Sequence, residues 1–173
     1  PILYRDLLIV NASDESKAII AFEKTTGQEK WRYESKQLEL TYNTPTLHAP
    51  KDGRSELVIA APDELFALDP QPGQKLWWAT SEIPGHITPS VISAGEVLFT
   101  TGGYPRKGAI AIKGGGSGDV TDKILWRSKT FSYVPSSVYQ DGLLHWVNDE
   151  ATVIVMDLKT GETLTKRTIE SIK

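Results

Sequence analysis

An all-β chain built as four four-stranded antiparallel units in series is the fold this 173-residue sequence predicts, on three observations. A turn segment is written three times with small changes and a fourth time with an insertion: AFEKTTGQEKW at 21–31, ALDPQPGQKLW at 67–77, VMDLKTGETLT at 155–165 and the longer AIKGGGSGDVTDKILW at 111–126. A proline precedes each copy, at Pro1, Pro45, Pro89 and Pro135, with steps of 44, 44 and 46 residues. Between these landmarks the apolar residues alternate or form short β-branched runs bounded by Gly, Asp, Pro and Ser, which is strand punctuation and not a helical stripe.

The repeats fall at 1–43, 44–87, 88–133 and 134–173. The second sets the layout, with strands expected at 46–48, 57–61, 65–69 and 75–80. The third places them around 91–92, 97–99, 109–112 and 125–126, and the fourth at 138–139, 143–147, 153–156 and 164–168. No helix is required. Trp31 and Trp77 are 46 residues apart, Trp77 and Trp126 49, and Thr165 stands in the tryptophan's place 39 further on. Four-stranded units of this length, each covering its neighbour's apolar face, are the blades of a β-propeller. A sandwich would alternate equally well but gives no reason for the Gly-x-x-x-Trp turn to recur. In the third repeat five extra residues, including Gly114-Gly115-Gly116-Ser117-Gly118, read as a flexible inserted turn.

The segment 21–31 resembles the tryptophan-docking motif A-x-D-x-x-T-G-x-x-x-W of the pyrroloquinoline-quinone-like (quinoprotein/BamB-like) β-propeller repeat family, with Glu23 one methylene longer than the motif's aspartate. Asp69, Gly73 and Trp77 match in the second repeat, and Asp157, Thr160 and Gly161 in the fourth. The resemblance covers essentially the whole chain. It implies that Gly27, Trp31, Gly73, Trp77, Trp126 and Gly161 are structural, each indole packing between adjacent blades where a glycine lets the turn come close. It further implies a ring of seven or eight blades, of which these four are about half, and an exported setting: periplasm, cell envelope or secretion. A start inside a strand-like pattern reads as a piece of something larger.

Chemistry is sparse. The net charge of −3 gives no basic surplus for nucleic-acid phosphates, and no run of 18 apolar residues could span a membrane. There is no cysteine. His48, His86 and His145 have no metal-ligand spacing, and the glycine run lacks the following helix a phosphate cradle needs. No G-x-S-x-G elbow occurs. The adjacent carboxylates Asp14-Glu15, Asp63-Glu64 and Asp149-Glu150 sit between strands, where polar turns are expected. Asn11-Ala12-Ser13 fits a glycosylation acceptor in form. No catalytic residue and no metal ligand is assigned.

In an antiparallel four-stranded blade the loop between strands two and three opens on the same end as the connections between blades. Residues 11–17, 61–64, 101–108 and 148–152 are therefore expected beside 41–43, 85–87 and 132–134. Tyr104-Pro105-Arg106-Lys107 stands out there as an aromatic anchor beside two cations, a composition enriched at interfaces. The expected contact residues are Tyr42, His86, Tyr104, Arg106, Lys107 and Tyr133. The functional expectation is a non-catalytic binding or scaffolding propeller, with protein partners or further blades as its contacts and no cofactor. The alternative implied by the resemblance is part of a quinone-dependent alcohol or sugar dehydrogenase, holding pyrroloquinoline quinone with calcium.

Overall fold

The computed structural model of the protein describes residues 1–51 and 53–170, so the end of the fourth repeat at 171–173 lies outside the described residues. Four antiparallel sheets follow one another along the chain. The first comprises β1 (Ile2–Tyr4), β2 (Leu7–Ala12), β3 (Ala18–Glu23) and β4 (Glu29–Glu34). The second comprises β5 (Thr46–His48), β6 (Glu56–Ala61), β7 (Glu64–Leu68) and β8 (Lys75–Thr80). The third contains β9 (Ile92–Ala94), β10 (Val97–Gly102), β11 (Gly108–Lys113) and β13 (Ile124–Ser128), with β12 (Gly118–Asp119) between the last two in sequence. The fourth is β14 (Val138–Gln140), β15 (Leu143–Val147), β16 (Thr152–Asp157) and β17 (Thr163–Thr168). A helical turn at Ser13–Ser16 and two short 3-10 turns are the helical elements among the described residues. None is long and apolar enough to cross a membrane.

Alternating side chains give the middle sheets two buried faces. Leu57, Ile59, Phe66 and Leu68 of the second sheet join Ile9, Ile19 and Ala21 of the first in one core. The intervening Val58, Leu65, Ala67 and Trp77 point the other way, into a core with Leu98, Ile110 and Ile112 of the third. The opposite face of the third sheet, Phe99, Ala109 and Ala111, packs on Leu144, Trp146, Ile154 and Met156 of the fourth. Period-2 alternation between two neighbours is how a propeller stacks its blades. The two outermost sheet faces keep apolar side chains in solvent, among them Leu3, Val138, Val147 and Leu164.

The repeated turn has one geometry in the first, second and fourth sheets. The amides of Gly27, Gly73 and Gly161 donate to the carbonyls of Glu23, Asp69 and Asp157 at 2.8, 2.9 and 2.9 Å. All three glycines are left-handed, with φ of 72°, 73° and 74°. The register slips at the same place in each sheet, between Ala21/Phe22, Ala67/Leu68, Ala111/Ile112 and Val155/Met156. The Trp31 indole N–H donates to the Pro70 carbonyl at 3.2 Å, and that of Trp126 to Leu158 at 2.8 Å, each on the next sheet's turn. The buried Trp77 indole finds no such acceptor among the described residues. Its counterpart turn is the one carrying the insertion.

That insertion corrects the expectation of a flexible turn. Gly118 and Asp119 pair in parallel with Trp77 and Trp78, making the second sheet five-stranded. The Glu56 carboxylate, fully buried, accepts from the Gly115 amide at 3.2 Å and from Arg54 at 3.0 Å. Arg54 donates to the Gly116 carbonyl at 2.8 Å and Lys123 to Gly115 at 2.8 Å. The Gly115 amide and the Gly116 carbonyl are thus satisfied by the neighbouring blade and the Gly115 carbonyl by Lys123 of its own, and the segment becomes a strap between blades two and three.

Candidate functional site

Connections between sheets and loops between second and third strands meet at one end of the stack, and hydrogen bonds tie each to its neighbour. Asn11 donates its side-chain amide to the carbonyls of Thr41 and Asn43 at 3.0 and 2.8 Å, and the Ser13 hydroxyl donates to Thr41. Both polar residues of the Asn11-Ala12-Ser13 sequon are thereby occupied in holding the first connection. Tyr42 donates its amide to Ile87 at 2.8 Å, and Ile87 returns a bond to Leu40 at 2.9 Å. The Thr101 hydroxyl accepts from the Ser132 amide at 2.9 Å.

Four of the six expected contact residues come together on this scaffold. His86 is the hub: its ring lies 5.9 Å from Tyr42 edge-on, 6.4 Å from Tyr133 near-parallel and 6.4 Å from Tyr104. Tyr104 and Tyr133 are 5.4 Å apart. His86 Nδ1 and the Tyr133 hydroxyl share a hydrogen bond of 3.1 Å. Tyr42 and Tyr104 stay largely open to solvent, at 44% and 54%. Centroids 4.5–7 Å apart are the range in which aromatic rings attract.

Backbone features hold the cluster. Gly85, with φ of 76°, lies so close to the Tyr104 carbonyl that any Cβ there would strike it, which brings the loop carrying His86 onto the loop carrying Tyr104. Gly103 donates its amide to the His86 carbonyl at 3.0 Å. Asp149 accepts from the amides of Tyr133 at 2.7 Å and Val134 at 3.2 Å, fixing the third connection. The Tyr42 hydroxyl is pushed above its ordinary pKa, first by desolvation and then by the nearby Asp14 carboxylate, so it stays a neutral donor. Their positions between strands make Asp14 and Asp149 turn residues in the sequence reading. Asp149 in fact serves a loop 16 residues upstream, a partnership that adjacency in sequence does not reveal.

Arg106 and Lys107 do not join the rings. Lys107 Nζ sits 4.1 Å over the Phe131 ring and 3.9 Å from Glu150, and Arg106 projects into solvent. The histidines stay apart in their bonding: His48 pairs with Ser93 at 2.9 Å, whereas His86 is in the ring cluster. Glu64 pairs with Lys75. A cleft of about 660 Å³ lies beside the cluster and is lined by Lys36, Asp63, Trp78 and Gly85 among others.

The fit to a quinone with calcium can be judged from donors. Among the described residues no three His, Asp or Glu gather where they could hold a metal ion, and the sequence has no cysteine. Hard cations take six or more oxygens, and the described residues offer no cluster of three carboxylate or imidazole side chains from which such a set could start.

The family model described as outer membrane protein assembly factor BamB matches residues 1–167. No curated protein matches the chain. Among solved structures, BamB from Moraxella catarrhalis superposes with a TM-score of 0.69 at 16% identity, over 95% of this chain and 46% of that one. Quinohemoprotein alcohol dehydrogenase from Comamonas testosteroni superposes with a TM-score of 0.70 at 16% identity, over 97% of this chain and 34% of that one. At that identity the likeness is one of fold, and the chain spans less than half the length of either.

Proposed function

The chain belongs to the outer membrane protein assembly factor BamB family, and on that premise we propose that it is a non-catalytic binding propeller segment of a cell-envelope protein, contacting a protein partner through its loop face. The observation that carries this reading is the convergence of Tyr42, His86, Tyr104 and Tyr133 from four loops of three successive repeats. Tyrosine offers a large rigid contact area with a polar tip and loses little conformational freedom on binding, which is why it anchors interfaces. The rings are braced by hydrogen bonds and backbone approach, so little further ordering is needed when a partner arrives. The cluster's one hydroxyl–imidazole pair, Tyr133 with His86, joins two rings that also stack, and no three carboxylates or imidazoles gather among the described residues, so recognition suits the cluster better than bond-making.

The test is site-specific photo-crosslinking in cells. A photoreactive phenylalanine at Tyr104 should yield a defined protein adduct, and the same group at the solvent-facing Leu164 of the outermost strand should not. Tyr42→Ala with Tyr133→Ala should remove the adduct. No adduct at 104, or dye-linked alcohol oxidation dependent on quinone and calcium, would replace this reading with the dehydrogenase one.

A further inference from the structure

We propose that the loop face takes an acidic segment of its partner: an extended peptide that seats an apolar or aromatic residue on Tyr104 and runs its carboxylates into a cationic cleft next to the cluster. This rests on the loop face being the protein-contact surface. The cleft has a volume of about 310 Å³ and lies between the second and third sheets, with Ser81, Glu82, Lys107, Arg127 and Lys129 on its walls. It adjoins the tyrosine cluster through the chain, since the loop that carries His86 also supplies Glu82, and the loop that carries Tyr104 leads into Lys107. Gly85 bridges to Tyr104 between them.

Charge decides what this cleft can hold. The chain carries a net charge of −3, yet the cleft lining holds Lys107, Arg127 and Lys129 against one carboxylate, Glu82, and the ion pairs made there among the described residues are Arg127 with Glu82 and Lys107 with Glu150. Arg127 is pinned by donating to the neutral carbonyls of Ser81 and Thr80, at 2.5 and 2.9 Å, bonds that hold the guanidinium without neutralising it. Glu82 lies 3.9 Å from Arg127 with its side chain 70% exposed, and Glu150 lies 3.9 Å from Lys107 with 63% exposed. Such loose pairs in water neutralise little. Lys129 and Arg106 form no ion pair among the described residues. The Phe131 ring beneath Lys107 holds that ammonium in place without cancelling its charge. A local positive field on an otherwise acidic surface selects carboxylates. The remaining negative charge disfavours a polyphosphate backbone, which needs a long positive track.

The probe is a fluorescein-labelled peptide with one tyrosine followed by a run of glutamates, set against its glutamine counterpart and followed by anisotropy on the whole chain. The glutamate peptide should bind about tenfold or more tighter, and raising salt from about 50 to about 300 mM should erase most of that margin. Lys107→Gln with Lys129→Gln should weaken the glutamate peptide by about three- to tenfold and leave the glutamine peptide unchanged. Equal binding of the two peptides, an unchanged affinity in the double variant, or no binding of either at about 1 mM would overturn the acidic assignment. If Tyr104→Ala then weakens both peptides alike, or crosslinking at 104 persists, the loop-face reading stands without it.

Discussion

Gly161 lies directly under the indole of Trp126: a Cβ on that glycine would come within 2.6 Å of the ring at Cδ2. Gly73 is in the same relation to Trp31, again with 2.6 Å to Cδ2, whereas Gly27 has nothing within 4 Å. All three have the same left-handed φ, so the backbone cost of a side chain is shared, about 1–2 kcal/mol. Gly27→Ala should cost about that, and Gly73→Ala and Gly161→Ala a further ~1–3 kcal/mol for the overpacked indole. Urea unfolding of the three variants checks it, and equal losses would disprove indole contact as the reason for the glycine.

Trp77 is fully buried between the second and third sheets, and its N–H meets no acceptor among the described residues. Its contribution is packing. Trp77→Ala should cost about 3–5 kcal/mol, as large truncations in cores do. An unchanged melting temperature would show that the side chain is not where the structure puts it.

The buried Glu56 holds the inserted strap through Gly115 and Arg54. Glu56→Ala leaves a buried amide without its acceptor and should cost about 1–3 kcal/mol. Amide exchange at Val120, which donates to Trp78 at 2.8 Å, should speed up in the variant while that of Phe99 in β10 does not. Equal protection at Val120 would mean that the strap stands without Glu56.

Strands were legible because β-branched alternation is local: 46–48, 143–147 and 75–80 needed nothing beyond their own residues and their turns. The convergence of Tyr42, His86 and Tyr133 followed from topology, since antiparallel connectivity alone decides which loops share an end. The strap was not legible. Gly-Gly-Gly-Ser-Gly carries no pattern of its own, and what orders it is the buried carboxylate of Glu56, some 59 residues earlier. Nor was the seat of Lys107 legible, because the ring beneath it, Phe131, lies 24 residues further along the chain.

Acid should loosen the repeated turns. Hydrogen bonds from Thr25 first and Thr26 next hold Glu23 at a pKa of about 2, below the ordinary 4.5. Asp157 is lowered by Thr160 and Asp119 by Thr121 in the same sense. A carboxylate depressed on folding stabilises the fold fully above its unfolded pKa and loses that contribution as pH falls toward the folded value. The denaturation midpoint should therefore drop between about pH 4.5 and about pH 2, and Glu23→Gln should flatten part of that drop. An identical acid profile in Glu23→Gln would remove this turn from the explanation.

Asp149 is where stability and recognition meet. Its carboxylate takes the amides of Tyr133 and Val134, and Tyr133 in turn bonds His86, so one acceptor sets the position of half the ring cluster. Asp149→Ala frees two amides that water can reach, so the loss of stability should be small, about 0.5–1.5 kcal/mol. The larger effect is expected on geometry: with the connection at 132–134 released, the His86–Tyr133 bond should weaken and crosslinking from position 104 should fall. Asp149→Asn keeps one acceptor oxygen and should recover most of both. Nitrogen NMR of the His86 ring reads the first effect directly, because Nδ1 loses its partner. Unchanged His86 signals in Asp149→Ala would show that the rings hold one another in place without the carboxylate, and that the loop is braced by Thr101 alone.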